Sequence, residues 1–343
     1  MIMNRHKIFT KNILKINYMN DKILVTGAGG FIGSHIVEEL LQKGHMIKAF
    51  VRYNSKNNWG WLEGISDHEN LEIISGDIRD YDSVFNSLKD CQSVFHLAAL
   101  IGIPYSYVSP LAYIKTNIEG TYNIIEASKK LNLKNVIITS TSETYGTAQY
   151  TPIDEKHPLV GQSPYSASKI SADELALSYY RSFDLPVKIV RPFNTFGPRQ
   201  SARAVIPSIL IQLLSGKDKI ILGNLSPVRD LTYIKDTVKG FVKIFESNKL
   251  FGEVTNIGSG RGIKIQELYN LICDILKAKP KVLQQDERIR PEKSEVQNLI
   301  CNNSKLKEHT DWDSEYSLEE GLLQTIDWIK NNQSFFKENI YNI

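Results

Sequence analysis

Lys22-Ile-Leu-Val-Thr26-Gly27-Ala-Gly-Gly30-Phe31-Ile32-Gly33 decides how this chain folds. Lys22 to Thr26 is a short apolar run that reads as a buried strand, and Phe31 to Lys43 has helical spacing that stops at Gly44. Between them lies Gly27-x-x-Gly30-x-x-Gly33. In that setting the glycines allow a tight turn and let a pyrophosphate approach backbone N–H groups at a helix N-terminus, where the dipole favours negative charge. A plain glycine turn in an unrelated α/β protein is the competing reading; the strand before it and the helix after it weigh against that.

Outward from this turn the chain keeps alternating. Strands are expected at Met46 to Val51, Leu71 to Ser75, Ser93 to Leu97, Asn135 to Thr139 and Val187 to Val190. Helical spacing covers Tyr81 to Leu88, Leu111 to Leu131 and Tyr165 to Phe183. This predicts an α/β fold with a doubly wound parallel sheet of the Rossmann type. After Arg191 the pattern turns irregular, with helices near Pro207 to Leu214, Lys235 to Glu246, Lys264 to Leu276 and Leu318 to Asn331. The expected division is a tail over 1–20, a dinucleotide-binding domain over 21–190 to which 231–258 returns, and a smaller mixed substrate lobe from 191–230 and 259–335.

Composition narrows the function classes. With 343 residues, 42% of them apolar, the chain can bury a large core. A formal net charge of +3 argues against a nucleic-acid surface, and no apolar run approaches the roughly 18 residues of a membrane span. Three scattered cysteines, Cys91, Cys273 and Cys301, suggest neither disulfides nor a metal site and fit a reducing cytoplasm. Residues 1–20 are basic but lack the continuous apolar region of a signal peptide.

The end of the second strand bears on the cofactor. An acid there would bind the ribose 2′-hydroxyl of NAD; the residues are instead Val51-Arg52-Tyr53-Asn54-Ser55. Arg52 favours the 2′-phosphate of NADP, the alternative being Arg52 stacked on adenine with NAD bound. Asp77-Ile78, after the third strand, could meet the adenine. Thr141, Ser142 and Glu143 close the predicted fifth strand, and Tyr165-Ser-Ala-Ser-Lys169 opens a helix. Tyr165 and Lys169 are one helical turn apart on the same face, so Lys169 can lower the phenol pKa and hold the nicotinamide ribose while Tyr165 exchanges a proton with a substrate hydroxyl.

These residues resemble the extended short-chain dehydrogenase/reductase family that acts on nucleotide-activated sugars. The resemblance includes His96-Leu97-Ala98-Ala99, Asn117-Ile-Glu-Gly-Thr121, Arg191-Pro-Phe-Asn194-Thr-Phe-Gly-Pro198 and Arg229-Asp230. Thr141-Ser-Glu-Thr-Tyr-Gly146 is similar to the catalytic loop of nucleotide-sugar 4,6-dehydratases. Tyr53 to Glu63 and Ser201-Ala-Arg-Ala-Val-Ile-Pro207 are similar to the N-acetylglucosamine nucleotide dehydratases of the legionaminic acid pathway. The resemblance implies Leu97, Ala98, Ala99 and Asn117 at the cofactor, and Asn194, Arg229 and Arg290 at the nucleotide diphosphate. It also implies a tightly held, recycled NADP or NAD and a homodimer.

The same resemblance implies a reaction. Tyr165 takes the proton of the sugar 4-hydroxyl as C4 gives up hydride; Glu143 then removes the proton at C5, the C6 hydroxyl leaves as water, and the hydride returns to C6. Ser142 stands where many glucose-type dehydratases carry an aspartic acid, and serine is no acid at neutral pH. Glu143 is then the candidate for both base and acid. The rivals are a UDP-glucuronate decarboxylase, a 4-epimerase in which Glu143 is redundant, and a nicotinamide-binding regulatory protein that needs no proton-transfer residues.

Overall fold

The computed structural model describes residues 21–285 and 291–336. Seven strands form the main sheet: β1 (Lys22–Thr26), β2 (Met46–Arg52), β3 (Leu71–Gly76), β4 (Ser93–His96), β5 (Asn135–Thr139), β6 (Val187–Pro192) and, after three strands of a second lobe, β10 (Val254–Ile257). Their order is β3-β2-β1-β4-β5-β6-β10, and every neighbouring pair is parallel. The doubly wound reading of the sequence is therefore the observed fold. The chain reverses direction across the sheet between β1 and β4, which opens a crevice at the carboxyl ends of those strands.

Helices cover both faces because the strands are apolar on both. Ile23, Val25 and Ile137 pack with α1 (Phe31–Gln42) and α8 (Ile234–Glu246), whereas Leu24, Val136 and Ile138 pack with α2 (Tyr81–Leu88), α5 (Gly120–Lys130) and α6 (Pro164–Phe183). Two short helices, α3 (Ile103–Val108) and α4 (Pro110–Tyr113), lead into a π-helical turn at Ile114–Glu119 that runs directly into α5. Two lysines that strand alternation turns inward end up at helix C-termini. Lys188 Nζ donates to the carbonyls of Ile244 at 3.0 Å and Phe245 at 2.8 Å, and Lys48 Nζ donates to that of Lys89 at 2.9 Å. Carbonyls left over at the ends of α8 and α2 thus each take a lysine amine as donor.

The smaller lobe comprises β7 (Asn194–Phe196), α7 (Val205–Leu214), β8 (Lys219–Leu222), β9 (Val228–Tyr233), β11 (Gly262–Lys264), α9 (Ile265–Leu276), β12 (Lys281–Gln284), β13 (Asn298–Leu299), α10 (Ser304–His309) and α11 (Leu318–Asn331). β9 is its centre, paired with β7, β11 and β13. Expected strand ends shift by a residue or two: β6 runs on to Pro192 and β4 stops at His96. Thr141 to Glu143 do not close β5, which ends at Thr139; Ser142–Tyr145 is a 3-10 turn capped by Thr141.

Candidate active site

Each candidate segment leaves the carboxyl end of a strand. After β1, Gly27 adopts φ +68°, and a side chain there would meet Ala98 N at 2.8 Å. A Cβ on Gly33 would lie 2.2 Å from Gly27 O, so the first turn of α1 rests directly on the glycine turn. Gly30 N–H closes that turn on Gly27 O at 3.0 Å, and Phe31 and Ile32 begin the helix. This cradle fits a pyrophosphate by the same argument the sequence allowed, since bare backbone faces the helix N-terminus. The loop after β2 bends over it, with Trp61 N–H bonded to Gly29 O at 3.1 Å.

The floor of the crevice is a hydrogen-bonded chain. Thr26 Oγ1 accepts from Leu97 N and Ala98 N, both at 3.1 Å, which leaves its proton for His96 Nδ1 at 2.8 Å. His96 Nε2 then faces Thr121 Oγ1 at 3.2 Å, and Thr121 donates to Asn117 O at 2.6 Å. Burial pushes the imidazole down to about 3, so it stays neutral. Asn117, in the π-helical turn, accepts from Leu100 N at 2.8 Å and donates to Leu100 O and Ser168 Oγ at 2.9 Å. It ties the Leu97-Ala98-Ala99 loop to α6. At the far side Arg52 is exposed at the end of β2, Ile78 is buried, and Asp77 is held by Arg79, which lowers its carboxyl pKa.

The Tyr/Lys helix begins with Ser163-Pro164. Ser163 caps it in a box with Ser166, and proline suits the first helical position. Tyr165 is therefore in the first turn of α6, at the end of the dipole that favours a phenolate. The phenol has Thr141 close enough to act on it as a hydrogen-bond partner. Burial pushes its pKa well up, Thr141 opposes this, and the charges of Glu143 and Asp173 push further up. The sequence led us to expect a phenol lowered by Lys169; here burial is the largest influence and the opposing one comes from Thr141. Lys169 donates to Thr139 O at 2.5 Å and has its own pKa lowered by burial, with Asp173 opposing. Glu143 N–H bonds to Thr141 Oγ1 at 3.3 Å, and Ser142 is buried.

On the substrate side, Asn194 Oδ1 is buried and meets no hydrogen-bond donor. Arg229, 9% exposed at its side chain, pairs with Glu295 at 3.0 Å. Arg290 lies outside the described residues. The sequence reading missed three features: the Asp173–Arg191 ion pair under α6, Tyr113, and Arg203. Tyr113 packs edge-on to Tyr165 with ring centroids 6.2 Å apart and donates to Gly102 O at 2.5 Å. Arg203 Nη1 would stand 3.4 Å from a Cβ on Gly102, and its charge acts on the Tyr113 phenol. Asp173 had a spacing signal, as the third member of a Tyr165, Lys169, Asp173 series at every fourth residue, and Arg191 and Arg203 stand in segments that carry the resemblance, without a role of their own.

The family model described as GDP-mannose 4,6 dehydratase matches residues 24–325. The chain belongs to that family. It is an enzyme of the extended short-chain dehydrogenase/reductase class, within a nucleotide-sugar group that holds dehydratases, epimerases and decarboxylases. Among curated relatives, a UDP-N-acetyl-α-D-glucosaminuronate decarboxylase of Bacillus cytotoxicus is 33% identical over 91% of this chain and 98% of its own length. A dTDP-glucose 4,6-dehydratase of Streptomyces antibioticus is 30% identical over 92% and 94%. Among solved structures, a dTDP-glucose 4,6-dehydratase double mutant of Streptomyces venezuelae with NAD bound aligns with a TM-score of 0.85 at 27% identity, covering 92% of this chain and 98% of that one. Among the described residues no three His, Cys, Asp or Glu side chains are grouped to hold a metal, and no helix is long and apolar enough to cross a membrane.

Proposed function

We propose that this protein is a nucleotide-hexosamine 4,6-dehydratase that converts GDP- or UDP-N-acetylglucosamine to the 4-keto-6-deoxy sugar. The observation that carries the reading is Glu143, a carboxylate whose charge reaches the Tyr165 phenol from the turn capped by Thr141. A 4-epimerase has no use for a second acid/base group there.

In this reading a bound nicotinamide supplies the acceptor that takes hydride from C4 and returns it to C6. Thr141 and Tyr165 hold the 4-hydroxyl oxygen, and Tyr165 takes its proton. Lys169 holds the ribose and offsets the phenolate charge. Glu143 removes the C5 proton, made acidic by the neighbouring ketone, and afterwards protonates the departing C6 hydroxyl while buried Ser142 orients that oxygen; as hydride is restored to C6, C5 takes up a proton, which balances the one Tyr165 took from the 4-hydroxyl. Asn194, Arg229 and Arg290 take the diphosphate. Arg52, where β2 ends without an acid of its own, favours NADP, although Asp77, just after the neighbouring strand, lies within reach of its charge and solved neighbours carry NAD. Tyr107, Val108, Leu111, Ile114 and Tyr122 leave an apolar surface on α3 to α5 that suits a homodimer, and the buried free thiols fit a cytoplasmic site of action.

The test is to incubate the purified protein, with no cofactor added, with UDP- and GDP-N-acetylglucosamine separately and to follow product mass. Loss of one water from either supports the reading and names the base; no loss from either sinks it. Arg203 favours a second reading, a nucleotide-uronate decarboxylase, because it offers a cation on the Gly102–Tyr113 wall for a C6 carboxylate. Loss of carbon dioxide from UDP-glucuronate would move the assignment there. Tyr165→Phe is expected to abolish either turnover while cofactor binding survives; normal turnover in it would remove Tyr165 from proton transfer, and a wild type that binds cofactor but turns over no sugar would revive the regulatory-protein reading.

A further inference from the structure

The Asp173–Arg191 ion pair lies beneath Tyr165 and Lys169, and the chemistry above leaves it without a task. Asp173 stands on the same face of α6, one turn beyond Lys169. Its Oδ2 accepts from Ser140 Oγ at 2.5 Å, Arg191 Nη2 at 2.8 Å and Arg191 Nε at 3.2 Å, while Oδ1 is buried and meets no donor. The pair's side chains are 0% and 2% exposed. A pair buried so deeply adds little net stability, because desolvation cancels most of its attraction. Stability therefore gives no sufficient reason for it.

Arg191 has a second neighbour. Its guanidinium carbon lies 5.0 Å from the centroid of the Tyr145 ring, and Tyr145 ends the 3-10 turn that carries Ser142 and Glu143. Tyr145 in turn donates to Asn256 Oδ1 on β10 at 2.7 Å. One guanidinium thus bridges the helix bearing Tyr165 and Lys169 and the turn bearing Thr141 and Glu143. We infer that the Asp173–Arg191 pair is a positioning device, which locks the Ser142–Tyr145 turn to α6 and sets the electrostatic potential around the Tyr165 phenol and the Lys169 ammonium. Asp173 acts on both: its charge pushes the phenol up and opposes the lowering of the ammonium by burial. The other groups facing this spot are His96 from β4, which is neutral, Tyr113 from α4, Glu143 and Tyr145 from the turn, Arg191 from β6, and, beyond Tyr145, Glu155.

The inference rests on the reading that Tyr165 and Lys169 carry proton transfer, and its charge logic gives a signature that a purely structural pair would not. Asp173→Asn leaves Arg191 uncompensated, so the acid limb of the turnover profile, set by Tyr165, and the alkaline limb of reduced-cofactor binding, set by Lys169, both move to lower pH. Arg191→Gln moves both to higher pH, and the double variant returns them towards the wild type. Each single shift is expected at about one pH unit. Binding is read from reduced-nicotinamide fluorescence with no sugar present. A wild type silent on every sugar would therefore defeat the dehydratase reading while the binding limbs still decide this one.

Should Arg191→Gln fail to fold, Asp173→Asn and the double variant carry the comparison. Limbs that coincide with those of the wild type overturn the electrostatic role. Hydrogen exchange reads the locking role: faster exchange at Ser142–Gly146, with β6 still protected, is expected in the double variant. Unchanged exchange there overturns it.

Discussion

Gly33→Ala separates folding from cofactor binding. Gly33 sits in α1, where alanine is the better helix former by about 1 kcal/mol. Its new Cβ, however, would stand 2.2 Å from Gly27 O, 2.9 Å from Gly27 C and 3.1 Å from Ala28 Cα, all of them backbone. Relief to an ordinary separation of roughly 3.5 Å needs a retreat of about 1 Å between helix and turn. Overpacking of this kind costs about 1–3 kcal/mol, so after the helix gain the net loss of stability is at most about 2 kcal/mol. The cofactor suffers more. The same retreat misaligns the N–H groups at the start of α1, and losing one or two charge-assisted hydrogen bonds costs about 2–4 kcal/mol, a weakening of roughly 10²-fold. Denaturant melts of the unliganded protein and titration with NAD or NADP measure the two quantities. Gly64→Ala is the control, since a Cβ there meets nothing within 4 Å. Gly33→Ala protein that binds cofactor as tightly as the control would refute the placement of the pyrophosphate on this turn.

Glu143→Gln is expected to slow water loss by about 10²–10⁴-fold. With one negative charge fewer beside Tyr165, oxidation at C4 should persist, so the near-ultraviolet absorbance of reduced nicotinamide builds up; normal water loss would remove Glu143 from its role. Arg52→Ala should weaken NADP binding by about tenfold or more while leaving NAD within a few-fold, and equal effects on both would dissociate Arg52 from the 2′-phosphate. Lys188 has its pKa lowered from 10.5 to about 7 by burial, so the unfolded chain binds a proton between those values that the folded chain does not. Wild-type stability should accordingly rise with pH across that window, by about 3 kcal/mol from pH 7 to about pH 9.5 relative to Lys188→Met. Parallel pH profiles of the two denaturation midpoints would show that the ammonium stays charged against the α8 carbonyls.

The strands that could be read directly are those of the parallel sheet. Lys22–Thr26 and Asn135–Thr139 are buried on both faces, so they are continuous apolar runs whose bounds show in the sequence. Strands of the smaller lobe do not read this way. Val228–Tyr233 carries Arg229 and Asp230, which are buried because Glu295 and the amides of Ser259, Gly260 and Cys301 satisfy them, and no periodicity announces such partners. β13 is only two residues long.

What the sequence determined by itself is what depends on neighbours within a turn or two: the glycine turn between β1 and α1, the Ser163-Pro164 start of α6, and the one-turn spacing that puts Tyr165 and Lys169 on one face. These follow from backbone geometry that the local residue types impose. Only the tertiary structure brought Thr141 to the Tyr165 phenol, put Asp173 against Arg191 of the neighbouring strand, and joined Tyr145 to Asn256 across 111 residues. It also set the dominant influence on the phenol. A helical spacing places a cation near Tyr165, whereas burial, which belongs to the whole fold, decides how much water the phenolate keeps.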